Sequence, residues 1–177
     1  MDNILIKLLR LKHWKLFLLI LIPSSFSAPY GIGYIFNMFG GLVFGLHLYA
    51  IVKFGAKALP PKAQRFIDPK KVSLYGKISI GLLAIFFVTF AILGEDIDQI
   101  ENNLFIEIPI SILLLALFYF GFVIISQASK TIVMLETNKK AKGEKLYLTL
   151  FLVLFYYIGI WINQPKINKW FSNENYL

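Results

Sequence analysis

The sequence contains no cysteine and few charged residues. Without cysteine, disulfides, thiolate metal sites and cysteine nucleophiles are excluded. Charged residues make up only 16% of the 177 residues, whereas soluble domains typically carry about 25%. Apolar residues make up 58%, with 17 phenylalanines. This balance predicts an all-α polytopic transmembrane helix bundle, formed as a single transmembrane domain over residues 1–177.

Catalytic and metal-binding patterns are scarce as well. His13 and His47 are the two histidines, whereas a zinc site usually takes three or four ligands. Ser24, Ser25 and Ser27 have no base close by in the sequence, and neither an HExxH motif nor a phosphate-binding glycine loop occurs. We therefore predict a protein that is not an enzyme and that has no catalytic residues, no cofactor and no metal site.

Acidic residues are few, and most lie in one segment. Glu95, Asp96, Asp98 and Glu101 could supply paired carboxylates or a weak cation site. The regular spacing and the glycine of a calcium-binding loop are missing, however. A solvated loop is the more common use of such a cluster.

The first long uncharged run, residues 16–52, is too long for one membrane span. As a single helix its 37 residues would measure about 55 Å, whereas the hydrocarbon core is about 30 Å thick. Proline and glycine interrupt the run at Pro23, Pro29, Gly31 and Gly33. The pattern predicts a hairpin, with helices over 13–29 and 34–54 and a turn near Pro29–Gly33.

Three further apolar segments predict helices over 78–94, 108–128 and 146–163, which makes five in all. Thr131–Leu135 could extend the fourth helix beyond the bilayer. The segments between the helices differ in charge. Residues 53–77 carry seven bases and one acid, residues 130–145 carry five lysines and two acids, and residues 95–107 carry five acids and no base. By the positive-inside rule, the basic loops and the N-terminus are cytoplasmic and the acidic loop is external.

The N-terminal stretch, residues 1–15, alternates apolar and basic positions. It predicts a short flank in the cytoplasmic interface, with Trp14 at headgroup depth. Pro29 directly after Ala28 disfavours signal-peptide cleavage, so the first helix is predicted to be an uncleaved span. The formal net charge of +8 lies between apolar runs, which is typical of topology signals and does not indicate nucleic-acid binding.

The stretch "YYIGIWINQPKINKW" closes the last apolar segment. Trp161 and Trp170 bracket Pro165, and both tryptophans are candidate interfacial anchors, with residues 164–177 as an interfacial tail. Two interpretations remain open. The fifth segment either spans the membrane and ends outside, or it is re-entrant and returns to the cytoplasmic side.

The most polar part of the second helix is "NMFGGLVFGLH". At spacings near three and four, Asn37, Gly40 or Gly41, Phe44 and His47 would share one face, and Gly41 with Gly45 forms a GxxxG step. In hydrocarbon, Asn37 and His47 need a partner or a wet cavity. This seam is either a polar, proton-responsive pocket or a packing surface in which His47 bonds to a backbone carbonyl.

Three pieces resemble a family of small, uncharacterised bacterial multi-pass integral membrane proteins: "LKHWKLFLLILIP" at 11–23, "SQASKTIVMLETNKK" at 126–140 and "IGIWINQPKINKWF" at 158–171. With the "LPPK" loop they follow that family's order over most of the chain. The resemblance implies proline at the position of Tyr157 and implies no activity.

The expected function is that of an accessory or assembly subunit, or of an effector or immunity-type membrane protein, in the bacterial inner membrane. The alternative is a small oligomeric transporter or channel that uses the seam on the second helix. The expected partners are the lipid bilayer and either a second copy of the chain or another membrane protein, and no nucleic acid.

Overall fold

The computed structural model describes residues 2–25, 31–93 and 104–172, and these residues form helices without strands. In chain order the helices are α1 (Asp2–Arg10), α2 (His13–Ser24), α3 (Gly31–Ala58), α4 (Pro61–Gln64), α5 (Pro69–Leu93), α6 (Leu104–Thr137), α7 (Glu144–Leu154) and α8 (Tyr156–Phe171). The all-α prediction is therefore confirmed.

Among the described residues, two helices are long and apolar enough to cross a membrane, at Phe36–Ala58 and Glu107–Thr137, or three if α7 and α8 together form one span. The prediction of five apolar helices, four of them spans and the fifth spanning or re-entrant, is not confirmed. The apolar part of α2, His13–Pro23, would cover only about 17 Å, and the apolar part of α5 is limited to Ser73–Thr89.

The uncharged run from residue 16 to residue 52 is divided as expected. One helix ends at Ser24, the next begins at Gly31, and the two pack against each other. The turn predicted near Pro29–Gly33 lies partly outside the described residues, as does the acidic segment 95–107 up to residue 103.

The predicted loop 53–77 is largely helical. α3 continues to Ala58, and α5 already begins at Pro69. Proline suits the first helical position because its missing N–H has no partner there. The Asp68 carboxylate accepts hydrogen bonds from the backbone N–H groups of Lys70 and Lys71, at 3.0 and 3.1 Å, and so caps the helix.

α3 is the central helix of the bundle, because it packs against α1, α2, α5 and α6. Its segment from Leu48 to Val52 is buried, as is Phe54. α5 runs antiparallel to α3, since the Tyr49 hydroxyl shares a 3.0 Å hydrogen bond with Ser73 while Gly41 lies against Leu83. α6 continues to Thr137, beyond the predicted end at residue 128, because Ile132 and Met134 are buried in the core that α3 also enters.

The predicted helix 146–163 is broken. α7 ends at Leu154, Phe155 has non-helical backbone angles, and α8 leaves at 119° to α7. The predicted tail from residue 164 onward is helical as far as Phe171, which is fully buried. The break lies ten residues before Pro165, where the sequence placed the end of the helix.

Several helix ends meet at one side of the bundle, which we call the basic end. It consists of α1 and the C-terminal ends of α3, α6 and α8. Lys53 forms an ion pair with Asp2 at 2.7 Å, and Lys166 forms one with Glu136 at 3.0 Å. The Arg10 side chain donates through Nε to the backbone carbonyl of Phe171 at 3.0 Å. The end of α8 therefore lies beside α1.

Candidate functional site

The predicted seam on α3 is split between two faces of the helix. An ideal Cβ on Gly41 would lie 3.5 Å from Leu83 and from Phe87, and one on Gly45 would lie 3.9 Å from Ile80. Both glycines thus face α5. His47 faces α7 and α8 instead. Asn37 is partly buried and lies ten residues before His47, near the other end of α3.

His47 lies in a small polar pocket, which we define by His47, Tyr156 and Gln164. Only 1% of the His47 surface is exposed, and its ring centroid is 6.0 Å from that of Tyr156. The Phe44 ring packs on the other side of Tyr156, with centroids 4.5 Å apart. The pocket encloses about 10 Å³, close to the least volume that holds one water molecule.

Three buried polar atoms around this pocket have no hydrogen-bond partner among the described residues. They are His47 Nδ1, the Tyr156 hydroxyl and Gln164 Oε1. A buried polar atom without a partner costs free energy, so their convergence on one pocket distinguishes it from ordinary packing. The expected bond between His47 and a backbone carbonyl is not made by Nδ1.

Hydrogen bonds donated by Nε2 fix the orientation of the Gln164 side-chain amide. Nε2 lies 3.0 Å from the backbone carbonyl oxygens of both Leu9 and Leu11, and 3.0 Å from Asn168 Oδ1. All three are acceptors, so the amino group must point at them and Oε1 must point the other way. Gln164 therefore joins the end of α1 to the polar pocket.

The same bonds satisfy carbonyls that the end of a helix leaves without partners. α1 ends at Arg10, so the Leu9 carbonyl belongs to its last turn. Asn168 adds a second donor, with its Nδ2 3.1 Å from the Leu11 oxygen. The sequence analysis missed this role of Gln164, because it treated Gln164 as the start of an interfacial tail. The signal available was a pair of amides, Asn163 and Gln164, at the end of an apolar run.

Gly159 allows the close approach of α7 and α8. A Cβ at this position would collide with the backbone oxygen of Leu152, which no side chain could tolerate without movement of the backbone. Gly159 lines the polar pocket, as do Val153 and Ile160. The sharp turn at Phe155 and the position of Tyr156 thus depend on a residue without a side chain.

A second, larger cavity lies on the Gly41 and Gly45 face of α3. This apolar cavity has a volume of about 460 Å³ and lies between α3, α5 and α6, with Leu154 of α7 at its edge. Its size falls within the range of about 300–1,000 Å³ that is typical of ligand pockets.

The three tryptophans differ in exposure. Trp14 is 44% exposed and Trp161 is 49% exposed, whereas Trp170 is partly buried against the core. The Trp161 ring lies 4.7 Å from His13 and 5.7 Å from Phe17, so it packs on the N-terminal part of α2.

The other sequence candidates do not join these sites. The Ser25 hydroxyl donates to the backbone carbonyl of Leu21 at 2.8 Å, within its own helix end. Ser27 and the acids at 95, 96, 98 and 101 lie outside the described residues. Over the described ranges, no three metal-ligating side chains come together.

Electrostatics at the basic end favour the seating of α1. The hydrogen bond from Lys53 lowers the pKa of the Asp2 carboxyl below its ordinary value of 3.8. The carboxylate therefore stays ionised and paired under all but acidic conditions.

Comparison of the chain with protein families, with characterised proteins and with solved structures gives no match.

Proposed function

We propose that the chain is a multi-pass protein of the bacterial inner membrane, with its basic end in the cytoplasm. The proposal is supported by the two long apolar helices and by the position of the lysines. Lys53, Lys57, Lys139, Lys140 and Lys166 all lie near helix ends that meet at the basic end. Cytoplasmic segments carry such an excess of lysine and arginine.

In this arrangement α7 and α8 form a re-entrant pair. Lys166 is bonded to Glu136 at the end of α6, and α7 begins only a few residues after α6 ends. The pair thus leaves the basic end and returns to it after the 119° turn. Non-helical backbone at membrane depth needs burial in protein, and Tyr156, next to the turn, is packed between Phe44 and His47.

The function proposed for this bundle is non-enzymatic. It acts as an accessory or assembly subunit, or as an effector or immunity-type protein, that binds a transmembrane helix of a partner or of a second copy. The observation that carries this proposal is the outer face of α6. Only 6% of the apolar stretch of α6 is buried inside the protein, against 56% of the apolar stretch of α3.

Four of the exposed apolar residues of α6 follow a regular spacing. Ile108, Ile112, Leu115 and Tyr119 lie four, three and four residues apart and are 55%, 61%, 70% and 63% exposed. A repeat of this kind forms one narrow stripe along a helix and matches the packing geometry of two helices that cross at about 20°. The partner surface expected is therefore another apolar helix.

Single cysteines test this proposal cleanly, because the chain has none of its own. Variants Ile112→Cys, Leu115→Cys and Tyr119→Cys would carry a photoreactive maleimide in native membranes. We expect protein adducts of one defined mass from all three. Ile85→Cys and Val88→Cys on α5, with 57% and 50% exposure, are the matched controls and should yield lipid adducts. Lipid adducts alone from the α6 stripe would contradict the proposal.

The polar pocket favours a second function, that of a small transporter or channel. Its unpartnered atoms lie beside a broken re-entrant pair, and half-helices that meet at mid-membrane are a common way to build ion and substrate sites. If protons pass here, His47→Gln should abolish a proton flux into vesicles that contain the purified protein. His13→Gln changes the other histidine, which lies against Trp161, and should leave the flux intact. Absence of any flux in the unaltered protein would exclude this second function.

A further inference from the structure

We propose that the apolar cavity binds one acyl chain of an anionic phospholipid from the surrounding bilayer. The inference rests on the proposed membrane placement but not on the accessory function or on the polar pocket. The cavity is lined by residues of α3, α5 and α6, with Leu154 of α7, and it takes up the space between Gly45 on α3, Leu83 on α5 and Gly121 on α6.

The lining selects an occupant without polar groups. Among the described lining residues, Ser79 has the one polar side chain, and its hydroxyl already donates to the backbone carbonyl of Tyr75 at 2.9 Å. A sugar, nucleotide or amino acid would lose its hydration without regaining hydrogen bonds there. A hydrocarbon chain has no hydrogen bonds to lose, and it makes dispersion contacts with Phe86, Leu114 and Leu117.

Glycines keep the cavity open. A Cβ at Gly121 would meet no atom within 4 Å, and one at Gly45 would meet only Ile80, at 3.9 Å. Larger side chains at either position would project into the cavity. A void of about 460 Å³ would leave its lining without contact atoms, which is unfavourable in any close-packed bundle. In a bilayer, the molecules at hand to fill it are acyl chains.

Charge on α5 selects the headgroup. Lys77 lies three residues, about 4.5 Å along the helix axis, before Ile80, which lines the cavity, and residues at this spacing are neighbours on a helix surface. Lys70 and Lys71 lie about two turns further toward the basic end. All three side chains are exposed. Their long stems can run along the helix while the ammonium groups reach the headgroup layer. A negatively charged phosphodiester headgroup whose chain enters the cavity would meet these lysines.

The test uses the purified full chain in discs that contain phosphatidylglycerol and phosphatidylcholine with identical acyl chains. Native mass spectrometry counts the lipids retained after extraction. We expect one phosphatidylglycerol per chain, and at least a tenfold loss of retention in Gly121→Leu. Gly81 is the matched control, because a Cβ there also meets nothing within 4 Å, but Gly81 is exposed and does not line the cavity. Gly81→Leu should retain the lipid.

Folding of the variants is checked by melting and elution, and Gly121→Leu should melt at or above the temperature of the unaltered protein because it fills a void. If it does not fold, Gly45→Leu replaces it. Equal retention by the folded variant and the unaltered protein would overturn the proposal, since the lipid would then bind only on the outer surface.

The headgroup part is tested separately. Lys77→Gln together with Lys71→Gln should reduce the preference for phosphatidylglycerol over phosphatidylcholine several-fold without loss of total chain binding. An unchanged preference would overturn the assignment of an anionic headgroup.

The location is tested with a diazirine in the acyl chain, which should label the α6 peptide that contains Leu114 and Gly121. Labelling of other peptides only would overturn the location. Site-directed labelling measures the membrane topology independently. A wrong membrane placement would therefore be distinguished from a wrong assignment of the lipid site.

Discussion

The side-chain amide of Gln164 donates a hydrogen bond to the backbone carbonyl of Leu9 across 155 residues of sequence, at 3.0 Å. Both residues are buried, with 1% and 0% of their surfaces exposed. The bond joins the last described helix to the first, and Gln164 also borders the polar pocket. It is the most direct link between the seating of α1 and the geometry around His47.

Loss of this amide should destabilise the bundle. Gln164→Ala leaves the Leu9 carbonyl without its side-chain donor, while the Leu11 carbonyl keeps its bond from Asn168, and we expect a loss of about 1–3 kcal/mol in the free energy of unfolding. Thermal melting in detergent measures it. Gln64→Ala is the matched control, because Gln64 also donates to a backbone carbonyl, that of Leu59 at 2.7 Å, but is exposed. An equal effect from both changes would contradict a special role for Gln164.

Gly159→Ala should disrupt the turn between α7 and α8. The added Cβ would collide with the backbone oxygen of Leu152, which cannot rotate away, so we expect a loss of at least about 3 kcal/mol. Gly81→Ala adds the same atom where nothing lies within 4 Å, and it should be neutral or slightly stabilising. A normal melting temperature for Gly159→Ala would show that the two helices do not approach each other so closely.

Two tyrosines should respond in opposite ways to removal of the hydroxyl. Tyr49 shares a hydrogen bond with Ser73, so Tyr49→Phe should cost about 1 kcal/mol. The Tyr156 hydroxyl has no partner among the described residues, so Tyr156→Phe should be neutral or stabilising by up to about 1 kcal/mol. A clear loss of stability in Tyr156→Phe would instead indicate a hydrogen-bonding group bound in the polar pocket.

Impermeant maleimide labelling should separate the two orientations of the last helix pair. If α7 and α8 are re-entrant, single cysteines at Lys62 and Lys169 should label from the same side of the membrane, and a cysteine at Asp98 from the other. Lys62 and Lys169 are both exposed. Labelling of Lys169→Cys from the side of Asp98→Cys would show that the pair spans the membrane.

The ion pair between Asp2 and Lys53 should make the seating of α1 sensitive to acid. Because the folded-state pKa of Asp2 lies below its ordinary value of 3.8, the stabilising contribution is present above that value and is lost as the pH falls through the lower, folded value. The effect should be small, since both side chains reach solvent, and high salt should weaken it. Asp2→Asn should therefore flatten the stability profile on its acidic side, as the pH falls to 3.8 and below, measured by melting at low ionic strength. An unchanged profile would show that α1 is held by other contacts alone.

Those parts of the fold that depend on composition and local signals could be predicted from the sequence. The apolar content predicted helices, and the length of the run from residue 16 to residue 52 required a division. The prolines and charges placed the ends of α3 to within about four residues, whereas α5 begins at Pro69, well before the predicted start at residue 78.

The features that depend on tertiary contact could not be predicted. No glycine or proline lies at Phe155, where α7 ends; the break depends on the fit of Gly159 against Leu152 and of Tyr156 between two rings. Proline at the position of Tyr157, which the family resemblance implies, would fall in the first turn of α8, where proline is tolerated.

Gly41 and His47 of the predicted seam have different neighbours for a geometric reason. Six residues separate Gly41 from His47, which corresponds to roughly 240° around a helix with 3.6 residues per turn. The two residues therefore face different neighbours, and Phe44 is the residue that borders both sites, through its contact with Tyr156 and its place in the lining of the apolar cavity.

The bond between Gln164 and Leu9 also has a consequence for biogenesis. A ribosome adds about 5–20 residues per second, so roughly 8–30 s pass between synthesis of Leu9 and synthesis of its hydrogen-bond donor. During that interval the apolar face of α1, with Leu5, Leu8 and Leu9, lacks its seat on α8. We expect α1 to pack first against α3, which is synthesised much earlier, and to become fixed at its C-terminal end only after α8 has been inserted.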